Sequence, residues 1–259
     1  MVLLKRSRLF MLVLGLVMVF AAGYLAGGLQ PSSTPSSDQD LLYQVSTYTA
    51  LTGGGFDPVE PVGFLMKNGD LGLGTFTGLD GEMVVVDGTC YQVKSDGTVR
   101  PADPSQGVPF AGVTFFSPDL SIPGVMAGNM TEFTGFLDSQ LPSRDQFYAI
   151  RMTGTFPYIR VRSPPVQSKP YPLLADALKG QAVFEFRDVT GTAVGFYTPA
   201  SAAGLGFPGY HLHFITADRS RGGHILDIVT GGNTVELDST PRSLTILTPE
   251  GVPSTGSQP

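Results

Sequence analysis

Short apolar runs separated by turn residues dominate the chain after residue 40. Many of them alternate hydrophobic and polar positions with a period of two or are rich in β-branched and aromatic residues, as expected of strands. Because they recur too often for a helical protein, they predict mostly β-structure. The predicted strands are FLMKNGDLGLGTF (64–76), GEMVVVDGTCYQV (81–93), GVTFFSP (112–118), FYAIRMTGTF (147–156), YIRVRS (158–163), AVFEFRDV (182–189), TAVGFYTP (192–199), YHLHFIT (210–216), HILDIVT (224–230) and TVELD (234–238).

Two segments have helical spacing instead. Apolar residues recur every three or four positions over 132–141, where Thr131 is expected to be the N-cap, and Pro172 is expected to open a second helix over 173–180. Each helix precedes a strand, so the predicted class is α+β: β-rich, with mixed sheets and few short helices.

Two octapeptides are alike, GVTFFSPD at 112–119 and AVGFYTPA at 193–200. Their similarity suggests that the body of the protein, residues 41–259, consists of two related halves that meet near 145–165.

The first 28 residues differ from the rest. Lys5, Arg6 and Arg8 precede a long apolar run, and a Ser/Pro-rich linker follows at 29–40. This pattern predicts an export signal, either cleaved or kept as an N-terminal anchor. The expected location is therefore secreted or extracytoplasmic, with membrane attachment only through an uncleaved leader.

The body is acidic, since the whole chain has a formal net charge of −6 and the leader holds three of its basic residues. An acidic body is a poor partner for nucleic acid or an anionic membrane surface.

Cys90 is the only cysteine, so an intrachain disulfide is excluded and the core must supply the stability.

All three histidines of the chain lie within fourteen residues, at 211, 213 and 224. On a strand, residues i and i+2 project from one face, so His211 and His213 can offer two nitrogens to one ion. A polar, Gly-ended turn and a second strand would bring His224 beside them. Three histidines leave a coordination position open, as in catalytic zinc sites. The alternative is a set of hydrogen-bonded structural histidines.

Few other residues could complete a catalytic site. Glu82 lies between a Gly-containing turn and an apolar strand, and Arg160 and Arg162 share one face of a strand, where they could clamp a carboxylate. Glu250 lies in the polar tail. Taken alone, each is also compatible with an ordinary surface position.

These motifs together resemble the α-acetolactate decarboxylase family from about residue 40 to 235. The resemblance is carried by LGLGTFTGLDGEMVVVDG, YQVKSDG, LPSRDQFYAIRMTG, VRSPPVQSKPY, GTAVGFYTPA, GYHLHFI and GGH. It implies a carboxy-lyase that converts 2-acetolactate to acetoin and carbon dioxide, with no organic cofactor.

The resemblance also implies a site. Zinc would be bound by His211, His213 and His224 and would chelate the substrate's ketone and hydroxyl oxygens as an electron sink. It selects Arg162 over Arg160, assigns Glu82 a catalytic role, and implies a tail glutamate, for which Glu250 is the best candidate. It further implies a homodimer. Three histidines alone do not distinguish zinc from manganese, iron or cobalt.

Two other functions remain open at this point. A cupin-like metal oxygenase also begins with HxH, but its glutamate is expected where this chain has Thr216 and Ala217. Metallo-hydrolases with HxHxDH differ at Ile215 and Thr216. The non-enzymatic alternative is a secreted metal-binding β-protein.

Overall fold

A seven-stranded mixed sheet forms one layer of the protein. The computed structural model of the chain describes residues 41–239 and 243–247. The strands of this sheet are β1 (Leu41–Val45), β3 (Leu71–Thr75), β4 (Glu82–Val86), β5 (Thr89–Val93), β6 (Val99–Pro101), β8 (Phe110–Thr114) and β14 (Ser243–Leu247), and β2 (Glu60–Pro61) and β7 (Gly107–Val108) form a separate pair. The order in the sheet is β14-β1-β8-β3-β4-β5-β6. Strand β14 pairs with β1 in parallel, and the other pairs are antiparallel.

The second layer is an antiparallel sheet of five longer strands. These strands are β9 (Leu120–Ala127), β10 (Tyr148–Ser163), β11 (Ala182–Thr198), β12 (Gly209–Thr216) and β13 (Gly222–Asp238). Their order in the sheet is β10-β11-β12-β13-β9. Strand β10 also pairs with β13, so β10, β11, β12 and β13 close into a ring.

Helices are short and few among the described residues. They are α1 (Tyr48–Thr52), α2 (Val62–Leu65), α3 (Met130–Gln140) and α4 (Leu174–Ala177), with 3-10 turns at Thr77–Leu79, Leu178–Gly180 and Ala200–Ala202. None of the helices in the described ranges has the length and apolar character needed to cross a membrane.

The cap predicted for α3 was wrong. Asn129, not Thr131, is the N-cap, because its side-chain oxygen accepts a hydrogen bond of 2.9 Å from the backbone N–H of Glu132. Pro172 also lies one residue further from its helix than predicted, since Leu173 is the N-cap of α4.

The two sheets pack face to face through an apolar layer. Alternate residues of β3 and β4, such as Leu73 and Val84, contact Val194 and Ile215 from the second sheet. A further core fills the interior of the second sheet and the face covered by α3, where Phe133, Phe156 and Phe214 are fully buried. Cys90 is buried, and it is free because the chain has no second cysteine.

The predicted β-rich α+β class with few short helices is confirmed. Several predicted strands join into longer ones: 147–156 with 158–163 in β10, 182–189 with 192–199 in β11, and 224–230 with 234–238 in β13. The prediction of one strand over 64–76 was wrong at its start, because Val62–Leu65 is helical and β3 begins at Leu71.

The chain passes from the first sheet to the second between Thr114 and Leu120. This crossing lies upstream of the interval 145–165, where the two predicted halves should meet. The leader (1–28) and the linker (29–40) lie outside the described residues.

Candidate active site

The three histidines lie on two paired strands, as the sequence predicted. His211 and His213 are on β12, and His224 is on β13 directly opposite His213. Opposite residues of an antiparallel pair project from the same face, so all three rings emerge on one side of the hairpin. That side is the one facing the first sheet, because Ile215, the next residue of the same alternation, belongs to the layer between the sheets.

Their ring nitrogens converge on one point. His211 Nε2 lies 3.1 Å from His224 Nδ1 and 3.2 Å from His213 Nε2. Three nitrogens bound at 2.0–2.1 Å to a tetrahedral ion would be separated by about 3.3 Å. The set therefore fits a divalent transition metal, and these are the residues that could hold one.

The tautomer of His213 is fixed by the first sheet. Its Nδ1 lies 2.7 Å from the carbonyl oxygen of Met83, and because a carbonyl can only accept, Nδ1 must carry the proton. This leaves the Nε2 lone pair facing the other two rings, the second-shell arrangement common among metal-ligating histidines. No sequence motif predicted this hydrogen bond between His213 and the Met83 carbonyl.

Burial keeps the three rings neutral. Loss of solvation lowers the pKa of His213 to about 3, with a further lowering from the charge of Arg162 that the Met83 hydrogen bond opposes. The pKa values of His211 and His224 are also well below the usual range, mainly through burial. Neutral imidazole is the form that binds metal.

Glu82 faces the histidines from the first strand of a hairpin. A tight turn precedes it, where Gly81 has φ +86° and an added Cβ would lie 2.2 Å from Val93 O. The turn is further fixed by Gln92, whose amide donates to Asp80 O at 2.7 Å. Glu82 is thereby held with Oε2 3.5 Å from His213 Nε2.

The carboxyl of Glu82 is buried, with 7% of the residue exposed. Burial raises its pKa to about 7, although the charge of Arg162 acts in the opposite direction. Since the pKa of His213 is lowered, the two groups do not form an ion pair near neutral pH in the metal-free protein. Glu82 can instead hold and release a proton at pH 7.

Of the two strand arginines, Arg162 lines the cleft and Arg160 does not. Arg162 lies directly opposite His224 on β13. The register shifts by one residue between Arg160 and Val161, so Arg160 lies opposite Asp227. Period-two alternation could not foresee that irregularity.

The histidines, Glu82 and Arg162 share one cleft, which encloses about 480 Å³ when space open to solvent is counted. Much of the remaining wall of the cleft is apolar. It is formed by Leu51, Leu79, Phe110, Leu174, Leu178 and Phe207. These residues come from five separate parts of the chain, so sequence spacing offered no signal for them. The described part of the cleft thus combines a metal-ligand set, an acid and a cation with a wall suited to small alkyl groups.

The family model of alpha-acetolactate decarboxylase matches residues 42–250 of the chain. The chain belongs to the alpha-acetolactate decarboxylase family. Similar proteins include the alpha-acetolactate decarboxylase of Methanosarcina mazei, 49% identical over 78% of this chain and 70% of that protein. Another is the enzyme of that name from Bacillus subtilis, 42% identical over 81% of this chain and 83% of that protein.

Solved structures of the family have the same fold. The alpha-acetolactate decarboxylase of Bacillus subtilis strain 168 superposes with a TM-score of 0.78 at 40% identity, over 82% of this chain and 90% of that one. A Staphylococcus aureus protein described as similar to alpha-acetolactate decarboxylase has a TM-score of 0.78 at 30% identity, over 81% and 89%. Membership of the family confirms the prediction of an enzyme of the carboxy-lyase class. Glu250 lies outside the described residues.

Proposed function

We propose that this enzyme is a metal-dependent decarboxylase that converts 2-acetolactate to acetoin and carbon dioxide. The observation that carries the proposal is the convergence of three histidine nitrogens beside Glu82 and Arg162 in one cleft, in a chain of the alpha-acetolactate decarboxylase family.

The proposed cofactor is Zn²⁺, bound by His211, His213 and His224. Three neutral imidazoles suit zinc, although cobalt, iron or manganese could satisfy the same ligands. When bound, such an ion supplies Lewis acidity, which polarises oxygen atoms and accepts electron density as carbon dioxide leaves.

Arg162 is proposed to bind the carboxylate of the substrate. Its guanidinium is the cation of the described cleft, and it lies on the same row of residues as His224 and His213. Charge-assisted hydrogen bonds from a guanidinium would orient the carboxylate next to the ligand set. The methyl groups would then contact the apolar wall.

Glu82 is proposed to deliver the proton that replaces the lost carboxylate on carbon. In the metal-free protein, burial raises its pKa to about 7, and a cation bound beside it would lower that pKa again, so Glu82 would release its proton more readily when the metal is present. Its carboxyl oxygen faces the histidine cluster, so the proton would be donated from one side, as formation of a single acetoin enantiomer requires.

Glu250 is proposed as a second carboxylate of the site. Strand β14 runs parallel to β1 and ends at Leu247 beside Val45, just before α1, whose Leu51 lines the cleft. The family match also extends to residue 250.

Export remains part of the proposal, since the basic and apolar pattern of residues 1–28 is typical of a leader. The protein would then act outside the cytoplasm, either released or held by an uncleaved leader. Association as a homodimer is likewise proposed.

The test is a coupled measurement of acetoin from racemic acetolactate together with metal analysis of the purified protein. We expect acetoin formation, a bound divalent metal, and loss of both in His213→Ala. Full activity in metal-free protein would contradict the metal-dependent mechanism. Bound metal without acetoin would instead indicate a metal-binding protein, and oxygen uptake would indicate an oxygenase.

A further inference from the structure

The guanidinium of Arg162 is held by a neutral amide. Its NH1 group donates to Gln181 Oε1 at 3.1 Å, and its Nε is buried without a hydrogen-bond partner. The ion pairs among the described residues all involve other cations. The positive charge of Arg162 is thus fixed in place without being neutralised there.

Gln181 reaches Arg162 because of where the chain re-enters the second sheet. The 3-10 turn at Leu178–Gly180 ends at Gln181, whose N–H donates to Leu178 O at 3.2 Å. Strand β11 begins at the next residue, and Arg162 lies opposite Val183. Gln181 is therefore a diagonal neighbour of Arg162, within reach of a long side chain.

Another arginine on the same strand is held by a carboxylate instead of an amide. Arg151 of β10 lies opposite Glu236, and its Nε donates to that carboxylate at 2.7 Å. A cation paired in this way offers less charge to a third group. Arg162, held by an amide, keeps its full charge for the cleft, and this charge affects Glu82 and all three histidines.

We propose that Gln181 is a positioning residue: it directs the Arg162 guanidinium into the cleft and, being uncharged, leaves it free to bind the carboxylate of the substrate. This inference rests on the proposed function, because it assigns the carboxylate to Arg162. It extends that function to a residue outside the catalytic set.

The decisive variant is Gln181→Glu, which keeps the acceptor oxygen but converts the contact into an ion pair like that of Arg151. We expect the KM for acetolactate to rise roughly tenfold or more, with a smaller change in kcat, because ground-state binding of the anion is weakened. The affinity of the metal-loaded enzyme for 2-hydroxy-2-methylpropanoate, an unreactive hydroxy acid, should fall by a similar factor in calorimetry.

Acetoin distinguishes positioning from a general structural effect. It is neutral, so its inhibition constant should stay within about twofold of wild type in Gln181→Glu. The matched control is Gln167→Glu, since Gln167 is also partly buried but its side chain donates to Pro165 O, whereas Gln181 accepts from Arg162. This control should bind the hydroxy acid as the wild type does.

Gln181→Met keeps the length and neutrality but removes the acceptor, and it carries the test if Gln181→Glu does not fold. It should weaken binding of the hydroxy acid severalfold and leave acetoin inhibition unchanged. Unchanged binding of the hydroxy acid in the folded variants, or an equal loss for hydroxy acid and acetoin, overturns the proposal. Wild-type protein that binds the hydroxy acid but releases no carbon dioxide overturns the proposed function instead, and the binding comparison still tests Gln181.

Discussion

Arg160 and Arg162 occupy the same strand two residues apart, yet their surroundings differ. Arg160 lies opposite Glu185 and Asp227, and Arg162 lies opposite Val183 and His224. Strand alternation alone left the two arginines as equivalent candidates for a carboxylate clamp, the family resemblance selected Arg162, and the structure gives the two residues different partners.

Arg162→Ala should therefore retain metal and lose turnover. Arg162 is not among the clustered ligands, so metal content should stay at the wild-type level. Loss of a charged group aimed at the substrate should lower kcat/KM by about a hundredfold or more. Metal analysis and acetoin kinetics check this, with Arg160→Ala as the control. Loss of metal in Arg162→Ala, or equal losses in both variants, would contradict the assignment.

Glu82→Gln tests the proton donor. The amide has nearly the same shape as the buried carboxyl but carries no acidic proton, so kcat should fall by about 10²–10⁴-fold. Glu60→Gln is the control, because Glu60 does not line the cleft. Acetoin kinetics at saturating substrate measure the effect, and a kcat within tenfold of wild type would remove Glu82 from proton transfer.

At the scale of the element, the histidine strand is positioned by a close approach of backbones. Gly195 of β11 lies opposite Leu212 of β12, and an added Cβ would lie 2.0 Å from His211 O. Only a residue without a side chain lets the two strands pair at this point. The position of β12, and with it that of His211 and His213, thus depends on its close packing against β11.

Gly195→Ala should push β12 away and disturb the ligand set. We expect lower thermal stability and a weakened affinity for metal, measured by calorimetry and by competition with a chelator. Gly135→Ala is the matched control, since Gly135 lies within α3 and an added Cβ would contact nothing within 4 Å. That change should stabilise the protein by about 0.5–1 kcal/mol. Unchanged metal affinity in Gly195→Ala would show that the strand contact does not position the ligands.

At the scale of the whole molecule, the site exists because two sheets are packed together. The second sheet supplies the histidines and Arg162, and the first supplies Glu82 and the Met83 carbonyl. Their burial between the layers shifts the pKa values of four titratable groups in the cleft. Folding of the metal-free protein must therefore depend on pH.

Acidification from pH 6.5 to 4.5 should destabilise the metal-free protein. In that range the unfolded chain takes up protons at three histidines with ordinary pKa values near 6.5, which the folded chain excludes. Glu82 acts oppositely, because its pKa rises from 4.5 to about 7 on folding. The unfolded state therefore binds about two more protons than the folded state, so the free energy of unfolding decreases as the pH is lowered.

Thermal unfolding of chelator-treated protein at several pH values measures this dependence. A His213→Gln, His224→Gln double variant should lose less stability over the same range, because two of the three excluded protons are gone. An equal pH dependence in the two proteins would mean that His213 and His224 do not control it.

The sequence by itself determined the β-rich class, the hairpin of three histidines and the identity of Glu82 and Arg162 as candidates. These follow from period-two alternation, residue spacing and ordered motifs, which are local properties of the chain.

Only the tertiary structure decided which of the residues meet. The Met83 carbonyl and the apolar wall come to the histidines from segments far apart in the chain, the amide of Gln181 contacts Arg162, and a register shift gives Arg160 and Arg162 different partners on β13. The raised pKa of Glu82 likewise depends on burial between the sheets. Such contacts arise from packing of whole layers, and no local pattern of residues encodes them.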